Sequence, residues 1–281
     1  LDQIPGYRRD ISWYEKEIFI PATKYEEIYL LHFEGVNNQS EVYLNGARAG
    51  GHTGGFVGFD VDITPFVKKG ENNLIQVKAD NSYDPFVVPS QKSDFIVYGG
   101  ITRNVRLNIL PKTHFGKLLA QTPLVTAENA STKINFSLNS TGEKRSFKID
   151  AVIKDRSGKI VAAKTVKPDI KIGDTKIELE FPKVKNPNLW SPVSPYLYTV
   201  ELVLNSDGRQ VDKISDRIGY RWYEFKEHGA FYLNGERLLL RGTHRHEELS
   251  GYSNALPDSI HRNDIRMIKE MGANFVRLAH Y

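Results

Sequence analysis

The chain has 281 residues, 40% hydrophobic and 11% aromatic, which is enough for two or three packed domains and argues against a disordered polypeptide. Its 38 basic and 34 acidic side chains leave a formal net charge of +4 and are interspersed along the sequence, which excludes a phosphate-tracking nucleic-acid face. There are no cysteines, hence no disulfide or thiolate metal site, and no stretch reaches the roughly 18–20 apolar residues of a membrane-spanning helix.

The opening LDQIPGYRRD carries no basic-then-apolar leader, and it leaves the compartment open. From there short β-rich runs alternate with turn residues: WYEKEIFI at 13–20, EEIYLLHFEG at 26–35, SEVYLNG at 40–46, GFDVDIT at 58–64 and NLIQVKAD at 73–80. Strands of this length and spacing predict a β-sandwich. Asn45-Gly46 predicts a tight hairpin turn, because both residues tolerate positive φ. TPFVKKGEN reads as a single helical turn, and VRLNIL at 105–110, followed by Pro111, closes a first domain over residues 1–111.

A second series of strands follows in TKINFSLN, RSFKIDAVIKD, TKIELEFP and YLYTVELVL, with hairpin turns at Ser157-Gly158 and Asp207-Gly208. About a hundred residues so patterned fit an immunoglobulin-like sandwich, placed at 112–222. In the last segment, 223–281, the hairpin AFYLNGERLLLRG leads into an expected strand at Leu238 to Leu240. PDSIHRNDIRMIKEMG predicts a helix that begins at Pro257, is capped by Asp258 or Ser259, carries an apolar stripe of Ile265, Ile268 and Met271, and stops at Gly272. NFVRLAHY then returns as a strand. Strand, helix and strand make a βαβ unit with parallel strands, which needs more sheet than the chain supplies; that it is the first βαβ of a (β/α)8 barrel, cut short, is what the family resemblance given below implies. The unpaired edge from Asn274 to His280 is expected to favour a homo-oligomer.

In such barrels reactive groups collect at the carboxyl ends of the strands. The stretch GTHRHEELSG places His244 and His246 after the first expected strand, and His280 ends the second, so topology brings three imidazoles toward one rim. His-x-His after a first barrel strand also opens the ligand set of some metal-dependent hydrolases. Those barrels are not preceded by two sandwiches, so the metal reading stands behind a sugar pocket and no metal site is assigned.

Two sandwiches followed by LLLRGTHRHE, an amphipathic helix and ANFVRLAHY resemble the front of glycoside hydrolase family 2, which contains β-galactosidases, β-glucuronidases and β-mannosidases. SDFIVYGGITRNVRL at 93–107 resembles the loop and strand that close the family's sugar-binding jelly roll, and NLWSPVSPYLYTVEL at 188–202 resembles late strands of its immunoglobulin-like domain. The resemblance implies a retaining exo-β-glycosidase, closest to the β-galactosidases. Its partner would be a carbohydrate with a terminal β-linked sugar, its setting periplasmic or secreted rather than cytoplasmic. No cofactor is implied beyond a mono- or divalent cation in the parent enzyme.

Carried over by motif, the resemblance gives His246 and His280 hydrogen bonds to sugar hydroxyls, Asp94 a sugar contact from a jelly-roll loop, and Arg277 a place behind the histidines beside the nucleophilic carboxylate. His244 stands where the family has Asn, and its alternation with His246 favours the same pocket. Glu247 and Glu248 resemble a structural acid and a loop position, and no catalytic residue is assigned in this chain. The competing class is a non-catalytic carbohydrate-binding or adhesion protein, which accounts for residues 1–222 and leaves the histidine-bearing βαβ unit unexplained.

Overall fold

The computed structural model describes residues 9–24, 26–88, 95–142 and 146–278. Among the described residues there are β-strands and one α-helix, and the chain divides into two compact units, one of residues 1–109 with 242–281 and one of residues 110–241.

The first unit opens with a jelly-roll sandwich. A four-stranded antiparallel sheet in the order Ile11–Ile20, Glu71–Asp80, Gln39–Leu44 and Ala47–Thr53 packs across from a three-stranded sheet of Phe59–Asp62, Glu27–Phe33 and Val105–Pro111. Period-two alternation decides the core: Val42, Leu44, Val77 and Ala79 point in beside Tyr29, Leu31, Phe33 and Ile63, while their neighbours in sequence point out. Asn45 (φ 53°) and Gly46 (φ 82°) form the expected turn between Gln39–Leu44 and Ala47–Thr53, and Thr64–Phe66 is the expected single turn, of 3-10 type.

The outward face of the four-stranded sheet is polar, and its centre is Glu41. Its carboxylate accepts from Lys78 Nζ at 3.0 Å, Tyr43 Oη at 2.9 Å and Arg48 Nε at 3.3 Å. Those bonds, Lys78 first and Tyr43 second, outweigh the opposing effect of burial and hold the Glu41 carboxyl at a pKa of about 2 against an ordinary 4.5.

The second unit is an immunoglobulin-like sandwich of a three-stranded sheet (Thr113–Gln121, Lys133–Ser140, Gly173–Glu180) and a four-stranded sheet (Ile160–Val166, Lys148–Lys154, Tyr198–Ser206, Arg209–Ile218). Ile134, Leu138, Ile149, Ile153, Leu179 and Tyr220 fill its core. Tyr220 Oη lies 2.7 Å from Thr132 Oγ1 inside that core, and burial pushes the phenol up to about 12. The hairpin strands between Tyr223 and Arg237 fall within this compact unit. Asn234 ties them in, accepting from Trp222 N at 3.2 Å and donating to Trp190 O at 3.0 Å.

In the remaining part of the first unit, Gly242–Arg245 and Phe275–Leu278 pair in parallel across the helix Asp258–Glu270, as the βαβ reading requires. Two details differ. Leu238 to Leu240 is not a strand: Leu239 and Leu240 are exposed, and pairing starts only at Gly242, where a Cβ would lie 2.6 Å from the Phe275 ring and only glycine admits the close approach. The helix is capped by neither Asp258 nor Ser259; Pro257 holds the cap position without a side-chain bond, and Asp258 already lies in the first turn. Gly272 (φ 90°) ends the helix as expected.

Because the Glu41 pKa is depressed in the folded state, its ionised form stabilises the fold above the unfolded value of 4.5, and that contribution is lost as pH falls through about 2. Lys78→Met should move the Glu41 midpoint upward toward 4.5 in an NMR pH titration. A midpoint that stays near 2 would show that Lys78 is not the main cause.

Candidate functional site

The site is built on the segment that runs from the first parallel strand. Along Gly242–Arg245 alternation sends His244 to one side and Arg245 to the other, and the two sides do different work.

On the Arg245 side lies a chain of alternating charges. Arg245 is 8% exposed and donates from Nε (2.9 Å) and Nη2 (2.5 Å) to Asp264 Oδ2 on the helix. Its Nη1 lies 3.4 Å from Glu247 Oε1. The other oxygen of Glu247 accepts from Arg103 Nη2 of the jelly roll, and Arg103 Nη1 donates to Asn254 O at 2.5 Å and Thr102 O at 2.9 Å. Glu247 is therefore clamped between two guanidinium groups. Both of its carboxylate oxygens are engaged by guanidinium groups. Glu248, by contrast, is exposed, and its charge acts after burial as the second cause that raises the Tyr98 phenol.

On the other side, the His244 and His246 rings stand edge to face with centroids 6.1 Å apart. His244 is exposed and sits in register with Arg277 of the second parallel strand. Arg277, expected behind the histidines, is exposed in this two-stranded sheet together with Phe275 (52%) and Leu278 (58%), whereas Val276 is partly covered. Asp94 and His280 lie outside the described residues.

The sequence reading missed the aromatic side of the rim. Phe95, next in sequence to Asp94, reaches the His246 ring at 6.3 Å between centroids, and Phe56 backs Phe95 at 6.4 Å, nearly edge-on. Phe56 has φ 61°, uncommon for a bulky residue, directly after Gly54-Gly55. The only signal in the sequence was the nearness of Phe95 to the Asp94 motif. Among the described residues no group of three or more His, Cys, Asp or Glu side chains is arranged to hold a metal ion.

A jelly roll, an immunoglobulin-like sandwich and a parallel βαβ unit thus follow one another, with imidazoles at the carboxyl end of the first parallel strand. Three family models match in order: "Glycosyl hydrolases family 2, sugar binding domain" over residues 3–111, "Glycosyl hydrolases family 2" over 113–221, and "Glycosyl hydrolases family 2, TIM barrel domain" over 224–281. The chain belongs to glycosyl hydrolase family 2.

Over its whole length it is 48% identical to a protein of Formosa agariphila provisionally named a beta-glucuronidase, of which it covers 33%. Over 97% of its length it is 35% identical to a beta-galactosidase of Thermoanaerobacter pseudethanolicus, of which it covers 37%. A crystal structure of Bacteroides uniformis beta-glucuronidase superimposes with a TM-score of 0.92 at 30% identity, over 98% of this chain and 34% of that one. The chain thus spans between a third and two fifths of these relatives.

Glu247→Gln keeps the shape of the side chain and removes the charge shared by Arg103 and Arg245. With Glu247 about one fifth exposed, the loss should be about 2 kcal/mol in chemical denaturation, while Glu248→Gln should be nearly neutral. Equal effects of the two changes would contradict the clamp.

Proposed function

We propose that the full-length protein is a retaining exo-β-glycosidase that removes a terminal β-linked sugar, and that this chain supplies one wall of its sugar pocket. The observation that carries the reading is the placement of His244 and His246 on one side of a barrel strand, with the jelly-roll residue Phe95 against His246. A neutral imidazole both donates and accepts, which suits a sugar hydroxyl, and a hydroxyl contact can tighten as the ring flattens toward an oxocarbenium ion. Phe95 adds an apolar surface for the C–H face of the ring.

Asp94 and His280 complete the proposed wall, by resemblance, as further hydroxyl contacts. Arg277 is assigned the electrostatic role of keeping a neighbouring carboxylate ionised. Retention needs two carboxyl groups about 5 Å apart, one protonating the leaving oxygen and one attacking the anomeric carbon. Neither Glu247 nor Glu248 is assigned to that pair, and both members are expected on barrel strands after Tyr281.

For the sugar itself, the 48% relative supports a β-glucuronide, ahead of the β-galactoside favoured by the sequence reading. The 35% relative keeps the β-galactoside as the second reading. Both are tested with chromogenic β-glucuronides and β-galactosides on the full-length enzyme. The glucuronide should be preferred by a factor of at least about 100 in kcat/KM, and His246→Ala should cost about 100-fold in kcat/KM on the preferred substrate. The chain 1–281 by itself should give no turnover. Turnover of neither substrate class by the full-length enzyme, or full activity of His246→Ala, would overturn the reading.

A further inference from the structure

The outward face of the jelly roll's four-stranded sheet is a grid of side chains that the proposed active site does not use. Register fixes three rows across the strands: Ile11, Asp80, Gln39 and Thr53; then Trp13, Lys78, Glu41 and Gly51; then Glu15, Gln76, Tyr43 and Arg48. The middle row lacks a side chain at Gly51, where a Cβ would lie 2.3 Å from Ser40 O, so that position stays glycine. The gap opens a cleft of roughly 340 Å³, walled by Gln39, Glu41, Arg48, Thr53, Lys78 and Asp80. At the far end of the row Trp13 is 56% exposed, its indole 5.8 Å from the Tyr43 ring and tilted by 40°.

We propose that this face binds a neutral β-linked oligosaccharide, with one sugar ring in the Gly51 cleft and another against Trp13. The proposal rests on the carbohydrate reading above and adds a second site remote from the barrel rim. Two cations, Lys78 and Arg48, stand against two anions, Glu41 and Asp80, so the cleft has no net charge to attract a phosphate or a polyanion. What it offers is a dense set of paired donors and acceptors, with Glu41 fixed by Lys78, Tyr43 and Arg48, and such preorganised charged groups suit hydroxyls that each donate and accept. The exposed indole supplies the apolar platform that the C–H face of a pyranose needs. From Trp13 to Gly51 the row crosses three strand spacings, about 14 Å, which is a length for an oligosaccharide and not for a single ring.

The test is calorimetric titration of the full-length enzyme with β-1,4-galactotetraose and β-1,4-xylotetraose, with excess product monosaccharide filling the active site and a heparin oligosaccharide as the anionic comparison. A neutral tetraose should bind. Trp13→Ala and Lys78→Met should each weaken that binding by at least about tenfold, Trp13→Tyr should retain it, and kcat and KM on a small chromogenic β-glycoside should not change. The proposal is overturned if neither tetraose binds, if binding survives both variants, if heparin binds in preference, or if the variants act by changing the oligomeric state, which would make this face a contact between copies. A parent enzyme without glycosidase activity would count against the function proposed above and leave the binding result to be judged on its own.

Discussion

The charged chain Arg103, Glu247, Arg245 and Asp264 is the constraint on which the candidate site depends. Arg245 is nearly buried, and a buried guanidinium must be paired or its desolvation is uncompensated. The pairing fixes which side of the strand Gly242–Arg245 faces the helix. Alternation then fixes the rest: with Arg245 turned to Asp264 and Glu247, His244 and His246 must project on the opposite side. Arg103 extends the same cluster into the jelly roll, across 144 residues of sequence, and ties the loop after that strand to the first sandwich. The polar clamp behind the strand and the imidazoles in front of it are two consequences of one arrangement.

The same period-two logic organises the jelly roll at larger scale. Each strand of its four-stranded sheet gives alternate residues to the core and to solvent. Val42 and Val77 therefore join Phe33 and Leu31 in one core, while Glu41 and Lys78 pair outside. The inner face needs volume and shape. The outer face carries polar side chains, with Trp13 56% exposed beside Tyr43 and a gap at Gly51.

Much of this was legible in the sequence, because the informative strands alternate. IYLLHF, EVYL and KINFSLN each read directly as half-buried strands, and the parallel βαβ unit followed from the helix between two strand-like runs. Ala47–Thr53 was not legible: ARAGGHT has two glycines and little β propensity, and it is a strand because the Asn45-Gly46 turn folds it onto its neighbour. Leu238 to Leu240 misled in the other direction, since a short apolar run is a strand only where something covers it, and Leu239 is 66% exposed. At the site, the spacing of His244 and His246 was readable, whereas Arg103 and Phe95 acquire their roles from partners far away in sequence. Local spacing also does not encode the choice between galactose and glucuronic acid: the hydroxyl contacts proposed for HRHE and RLAHY would suit both sugars.

The account turns on whether the histidine side of this strand touches sugar. The most direct measurement is a crystal structure of the full-length enzyme with a slowly released glycosidic inhibitor in the active site. The account predicts a sugar hydroxyl within about 2.6–3.2 Å of a ring nitrogen of His246, with the Phe95 ring beside the same sugar and Glu247 still held between Arg103 and Arg245. A sugar bound elsewhere, with His246 turned into protein contacts, or Glu247 released from its arginines and pointing at the glycosidic oxygen, would contradict it.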